Sequence, residues 1–256
     1  MPTVDLETTE ARAAAAGGAE KRAYVRRIFS EIAPRYDLLN HLLSFNIDRR
    51  WRRRAIATLD PTRRPRGVFI DLCAGTLDVA AELSRAPGFR GLVLGTDFAE
   101  PMLRVGLDKA PRVLVAPVAA DALELPVADE TAAGAIVAFG IRNVASLSAA
   151  LAEVYRVLEP GGRFVILEFS TPHSAVVRGA YHAYFHTVLP TIGRIVSGHR
   201  TAYRYLPESV ARFPVQAELA RAMRDAGFVD VRWESLTLGV AAIHSGDKPR
   251  NGPAPA

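Results

Sequence analysis

The chain has 256 residues, of which 49% are hydrophobic and 23% charged, with a formal net charge of +5. That is enough apolar material for one large domain, or a domain with a small appendage, and no run approaches the ~20 apolar residues that span a bilayer. The single cysteine, Cys73, excludes an internal disulfide and fits a reducing cytoplasm.

The opening stretch, "MPTVDLETTEARAAAAGGAEKR", carries acids before its alanine tract and lacks a basic start with an apolar core, so it does not read as a signal peptide. Residues 1–18 are rich in Ala and Gly without an apolar period and predict a disordered tail. From there Tyr24, Val25, Ile28, Phe29 and Ile32 recur at helical spacing, with Arg22, Arg26 and Arg27 largely on the opposite face and Pro34 as the stop. A second basic helix is predicted from Arg49 to Leu59, ended by Asp60-Pro61. Residues 21–66 hold 13 Lys or Arg against 4 Asp or Glu, a local excess of +9, so the rest of the chain sums to −4. Such a segment suits a solvated face with arginines lying over apolar neighbours, an anionic membrane surface, or an anionic ligand such as RNA.

From Val68 the rhythm changes to short apolar runs separated by helical stretches. Strands are predicted at Val68–Leu72, Leu92–Asp97, Arg112–Val118, Ala135–Phe139, Arg163–Phe169, Val229–Ser235 and Gly239–Ser245. Helices are predicted at Leu77–Arg85, Glu100–Lys109 and Leu147–Leu158. Unbroken apolar strands alternating with helices predict an α/β fold with a parallel sheet covered on both faces. Only "LTL" separates the last two strands, which predicts a hairpin and an antiparallel edge. Between two strands, "SAVVRGAYHAYFHTVLP" places Val176, Val177, Ala180, Tyr181, Tyr184, Phe185, Val188 and Leu189 on one wide helical face, the expected position of a lid over a greasy substrate. His182 and His186 lie four apart on that helix, but with no third ligand they read as a polar face and no metal is expected. The end, "KPRNGPAPA", reads as a loose tail.

In an open parallel sheet, ligands bind beyond the carboxyl ends of the strands. "VFIDLCAGTLDVAAEL" places Asp71, Gly75, Thr76 and Asp78 there. A dinucleotide fingerprint needs three glycines, and "CAGTLD" has one among acids that repel a pyrophosphate. A cofactor with a sulfonium and an ammonium reverses that argument, because carboxylates then help. Asp97 ends the second strand, where it can accept from ribose hydroxyls. Asp121 follows the third, where it can accept from an adenine amino group beside the Ala122 N–H. Acids at the ends of three successive strands exceed what helix capping explains, and they point to S-adenosylmethionine.

Several longer runs carry a resemblance. "YDLLNHLLSFNIDRRWRR", "FGIRNV", "RVLEPGGRFVILEFSTP", "YRYLPESVARFP" and "LTLGVAAIHSGDKP" resemble, in order from about Tyr24 to Pro249, the ubiquinone/menaquinone biosynthesis C-methyltransferases. The resemblance implies a class I S-adenosylmethionine-dependent methyltransferase: a Rossmann-like seven-stranded sheet, mostly parallel with an antiparallel last strand. A helical N-terminal cap and a helical insertion before the last strand pair accompany it. The limits it implies are a tail over 1–18, a single domain over 19–249 and a loose end over 250–256. Within the domain they are a cap to 66, a cofactor core to 172, a lid to 212, then a helix and strand pair. The implied reaction moves a methyl group to a ring carbon of a polyprenylated quinol. The family's cofactor contacts fall on Thr76, Asp97, Asp121 and Ala122, and a further one, usually serine, meets Ala138. Leu77 stands where the family commonly has glycine in "GTGD"; leucine suits that position if it has entered the first helical turn.

The resemblance also makes Arg142 and Asn143, in the loop after the fourth strand, candidates for catalysis. A guanidinium stays protonated, so Arg142 is expected to stabilise a phenolate or orient a water, and Asn143 to bond a quinol oxygen. Asp37 or His41 is the expected proton acceptor, four apart so that the carboxylate raises the basicity of the imidazole, with Glu168 a further candidate. Tyr36 and Tyr181 complete the expected substrate wall. An RNA methyltransferase is the rival that the basic segment suits, but aromatic stacking residues among the basics are missing, as is an N-P-P-[YFW]-like loop, so no nucleic acid is expected. A scaffold that does not bind the cofactor is the third reading. Peripheral contact with anionic membrane at its inner face is expected, and a homodimer is left open.

Overall fold

The computed structural model describes residues 18–37, 44, 46–172, 174, 177–179 and 200–250, without the side chains of residues 18, 19, 35 and 200–204. The tail over 1–17, His41, Tyr181, His182, His186 and most of the expected lid lie outside the described residues.

Seven strands form one sheet: β1 Val68–Leu72, β2 Leu92–Asp97, β3 Val115–Ala119, β4 Ala132–Ala138, β5 Leu158–Phe169, β6 Val229–Leu236 and β7 Ala241–Asp247. Their order is β3-β2-β1-β4-β5-β7-β6. β1 to β5 pair in parallel, and β7 runs antiparallel to both neighbours. The expected hairpin is present as β6 and β7, and a two-pronged Arg163–Asp247 pair at 2.7 and 3.0 Å holds its inner strand, β7, to β5.

Alternation along each strand feeds two cores. Phe69 on β1 and Val165 and Leu167 on β5 face Trp51, Ile56 and Leu83. Ile70, Leu72, Phe164 and Ile166 face Leu151, Val154, Leu219 and Met223 on the other side. Period-two burial on both faces is why these strands read as unbroken apolar runs.

Helices α1 Gly18–Ile32, α2 Ile47–Leu59, α3 Asp78–Ser84, α4 Glu100–Gly106 and α5 Leu147–Val157 flank the strands, with α6 Arg200–Arg212 and α7 Gln216–Asp225 before the hairpin. On α2, Asp48, Trp51, Arg52, Ala55, Ile56 and Leu59 are buried, a three-to-four spacing that turns Arg49, Arg50, Arg53 and Arg54 outward. α1 packs Tyr24, Val25, Ile28 and Ile32 against Tyr205 of α6 and Phe98, at the carboxyl edge of the sheet. α1 begins at Gly18, one residue before the expected start of the domain.

Candidate active site

The register sets the strand ends level. Leu72 pairs with Thr96 and with Val137, and Ala138 with Leu167, so the loops after β1, β2, β4 and β5 leave the sheet at one edge. β1 lies between β2 and β4, where the strand order reverses.

The loop after β1 spends its amides internally. Ala74 N–H donates to Thr96 O, Gly75 N–H to Asp97 Oδ2 at 2.9 Å, and Leu77 N–H to Ala74 O. A pyrophosphate would find few donors there. Asp97 also accepts from Ala99 N–H at 2.8 Å, and burial pushes its carboxyl up while these two N–H groups pull it down. Gly75 has φ +52, which glycine adopts freely, and its missing side chain leaves the wall open beside Met102 and Tyr36.

Leu77 corrects an expectation. It lies before the first helical turn with φ 62, in the left-handed region where glycine would sit without strain. A non-glycine residue there costs roughly 1–2 kcal/mol. The side chain is 2% exposed within the first core, directly above Gly95, where an added Cβ would meet Leu77 Cδ2 at 2.3 Å. Full burial of a leucine contributes about 1.5–3 kcal/mol, which offsets the strain.

Asp71 corrects another. Its carboxyl accepts from Ala80 N–H at 2.9 Å, capping the first turn of α3, and it does not line the cavity. Burial pushes it up to about 8, against the pull of the Ala80 N–H and the Arg52 charge.

A narrow cavity opens beside this loop. Gly75, Asp97, Phe98, Met102, Asp121 and Ala122 wall one part, and Ala138, Phe139, Gly140 and Asn143 another. Arg22, Val25, Phe29 and Tyr36 come from the cap. Arg22 crosses to Asp121 at 2.7 Å, with its own side chain 58% exposed. Sequence reasoning placed Arg22 on the solvent face; its partner is far along the chain, and no local pattern announces the contact. Tyr36 stands edge-on to Phe29 with ring centres 5.9 Å apart.

Arg142 and Asn143 diverge, contrary to the expectation that both face the cavity. Asn143 lines it, and its Oδ1 is buried without a hydrogen-bond partner among the described residues. Arg142 turns behind the wall, bonding Glu168 Oε1 at 2.8 Å and the Phe139 carbonyl, with its guanidinium 5.5 Å from the Phe169 ring centre. The cause is Glu168, a carboxylate buried at the end of β5 that needs a cation. Burial raises its carboxyl against Arg142 and the Phe169 and Arg142 N–H groups. Ser170 Oγ and Tyr205 Oη are likewise buried without a partner among the described residues. Burial pushes Tyr205 up to about 12.

Asp37 and Thr76 also leave the wall. Thr76 Oγ1 donates to Asp37 Oδ1 at 2.5 Å, and Lys109 Nζ donates to Asp37 Oδ2 at 2.5 Å and to Thr76 Oγ1 at 2.8 Å. A lysine in reach captures the carboxylate, so Asp37 faces the underside of the cofactor loop. Lys109 was missed because it follows the end of α4 with no motif around it.

Two carboxylates on the wall against one arginine, above a loop with its amides spent, fit a cationic adenosine compound better than a phosphorylated one. The fold and site define a class I S-adenosylmethionine-dependent methyltransferase. Solved structures of low identity share the fold. One is an S-adenosylmethionine-dependent methyltransferase from Thermotoga maritima, described as a possible histamine N-methyltransferase, with TM-score 0.62, 19% identity and coverage of 87% of this chain and 98% of that one. Another is phosphoethanolamine N-methyltransferase 2 of Haemonchus contortus with S-adenosyl-L-methionine, with TM-score 0.55, 13% identity and coverage of 76% and 52%. Residues 18–248 match the model of the ubiE/COQ5 methyltransferase family. The chain belongs to that family. It is 51% identical over 225 residues, 87% of this chain and all of the relative, to a demethylmenaquinone methyltransferase of Thermus thermophilus. It is 44% identical over 235 residues, 90% of each chain, to a ubiquinone/menaquinone biosynthesis C-methyltransferase of Geobacter sulfurreducens.

Proposed function

We propose that this protein methylates a ring carbon of a polyprenylated quinol, converting demethylmenaquinol to menaquinol and/or serving the benzoquinol step of ubiquinone biosynthesis. The observation that carries the reading is the pair Asp97 and Asp121 at adjacent strand ends on one cavity that Asn143 also lines. The names of the Thermus and Geobacter relatives support the quinol as acceptor.

When bound, S-adenosylmethionine supplies an electrophilic methyl group on its sulfonium. Asp97 would accept from the ribose hydroxyls with the lone pairs its two N–H bonds leave free, and Asp121 and Ala122 would take the adenine edge. Asn143 Oδ1, without a hydrogen-bond partner among the described residues, would accept from a quinol hydroxyl and hold the ring in line, sheltered from water. The ring carbon would gain the methyl as the sulfur–methyl bond breaks to leave a neutral thioether, and would give up its hydrogen as a proton. Arg142 contributes from behind: its pair with Glu168 fixes the loop that presents Asn143. Asp37 is held by Lys109 and Thr76, which favours His41 as proton acceptor; His41→Ala with undiminished turnover would refute that part. Tyr36 and Tyr181 would flank the ring.

No helix among the described residues is long and apolar enough to cross a membrane. The outward arginines of α2, Arg49 and Arg50 above all, would instead rest on anionic lipid at the inner face of the membrane. Sedimentation with anionic vesicles that weakens as salt rises tests this.

The direct test incubates the protein with S-adenosylmethionine and short-tailed demethylmenaquinol, and in parallel with the matching benzoquinol, and locates any added methyl by mass spectrometry. A ring-carbon methyl is expected. Cofactor binding without product from either quinol would overturn the acceptor while leaving the class intact.

A further inference from the structure

One cluster of charged groups plays no part in the cavity wall. Lys109 Nζ meets Asp37 Oδ2 at 2.5 Å, Thr76 Oγ1 at 2.8 Å and Asp78 Oδ1 at 2.6 Å. Asp78 Oδ2 takes Arg52 at 2.6 Å, Arg52 takes Asp48 at 2.8 Å, and Ser44 Oγ donates to Asp48 at 2.6 Å. The chain of contacts joins the end of the cap, the loop after β1, the start of α3 and α2. Asp78 has its carboxyl held below its usual range: burial raises it, but Arg52 and Lys109 together outweigh that.

Lys109 spends all three ammonium donors on groups from three segments. Two of them, Thr76 and Asp78, bracket Leu77 and so fix the left-handed turn of the cofactor loop. The third, Asp37, follows Tyr36, whose ring lies 3.8 Å from where a Gly75 Cβ would be. Without the ammonium, Asp37 and Asp78 would be two carboxylates facing each other across a gap, and the cap would lose this hold on the loop.

We propose that Lys109 is a positioning residue: through Asp37 it latches the N-terminal cap to the loop after β1 and thereby seats Tyr36 over the cofactor. The proposal rests, for its functional consequence, on the reading that the cavity holds S-adenosylmethionine.

The test uses the full chain with Lys109→Met, Lys109→Arg, Asp37→Asn and the Asp37→Asn/Lys109→Met double variant. Two quantities are read: amide hydrogen exchange without cofactor, and the rate of S-adenosylmethionine release. Lys109 and Asp37 are partly exposed, with side chains 25% and 29% accessible, so the expected effects are moderate. In Lys109→Met, exchange over residues 33–37 rises about tenfold while β1 and β4 keep their protection, and cofactor release quickens about tenfold. Lys109→Arg recovers part of both. The double variant is no worse than Lys109→Met alone, because the two residues act as one contact. Asp37→Asn, which keeps the side-chain volume, gives the same two readings should Lys109→Met fold poorly. Unchanged exchange over 33–37 in both single variants, or effects that multiply in the double variant, would overturn the latch. Wild-type protein that fails to bind S-adenosylmethionine would instead sink the functional reading, while the exchange measurement still judges the latch.

Discussion

The two sides of the cavity are built differently. On the sheet side, Asp97 is 7% exposed and Glu168 2%, and their partners are backbone amides or a buried guanidinium. On the cap side, Arg22 reaches Asp121 with more than half of its side chain in solvent, and behind the wall the Lys109–Asp37 pair that holds the cap is about a quarter exposed on each side chain. Buried polar groups are costly to separate, whereas exposed pairs contribute little and weaken with salt. The sheet side therefore fixes the geometry of the cofactor site, and the cap side is the part that can yield to let ligands pass.

The largest expected effect tests the sheet side. Glu168→Ala leaves the Arg142 guanidinium buried without its partner and should cost about 3–5 kcal/mol by denaturant unfolding. A loss below 1 kcal/mol would mean that water reaches the pair. Next comes the strained turn. Leu77→Ala removes core contacts while keeping the left-handed strain, for a loss of about 2–4 kcal/mol. Leu77→Gly should be about 1 kcal/mol less harmful, because glycine adopts that conformation freely. The reverse order would contradict the offset between strain and burial.

Asp71 gives stability a pH dependence. Its folded value, about 8, lies above the ordinary 3.8. The protonated form is thus favoured by folding, and its contribution is full below pH ~4 and fades as pH rises through ~8. Asp71→Asn keeps an acceptor for Ala80 N–H without the charge, so the variant should flatten the decline of stability between pH 4 and 8 and exceed the wild type at the upper end. The smallest effect is on the cap: Arg22→Ala should cost less than ~1 kcal/mol of stability, and less at high salt, yet it should speed cofactor exchange.

The same division decides what the sequence discloses. β1 and β2 and the hairpin follow from local apolar pattern. Asp97, Asp121, Ala122, Ala138 and Asn143 reach the cavity because strand ends are sites that sequence can place. β4 begins at Ala132 and β5 at Leu158, earlier than expected, because an Ala/Gly run and "EPGG" carry turn chemistry that sheet pairing overrides. β3 begins late, at Val115, since residues 112–114 turn back so that Leu114 and Val115 N–H bond the Pro111 carbonyl. α4 stops at Gly106, which frees Lys109 for its contacts. Thr76, Asp37 and Arg142 each satisfy a partner distant in sequence, Lys109 or Glu168, and Asp71 the Ala80 N–H nine residues on, instead of the cavity. Such pairings follow from burial and charge in three dimensions, and nothing in the local sequence marks them.

The central claim is that the cavity at the carboxyl ends of β1, β2 and β4 holds S-adenosylmethionine through Asp97. Calorimetric titration of the cofactor into wild type and Asp97→Ala tests it most directly. One site per chain is expected in the wild type, with affinity reduced at least about a hundredfold in the folded variant, which loses both the ribose acceptor and the tether on Gly75. Equal affinity in the two proteins would place the cofactor elsewhere and contradict the account.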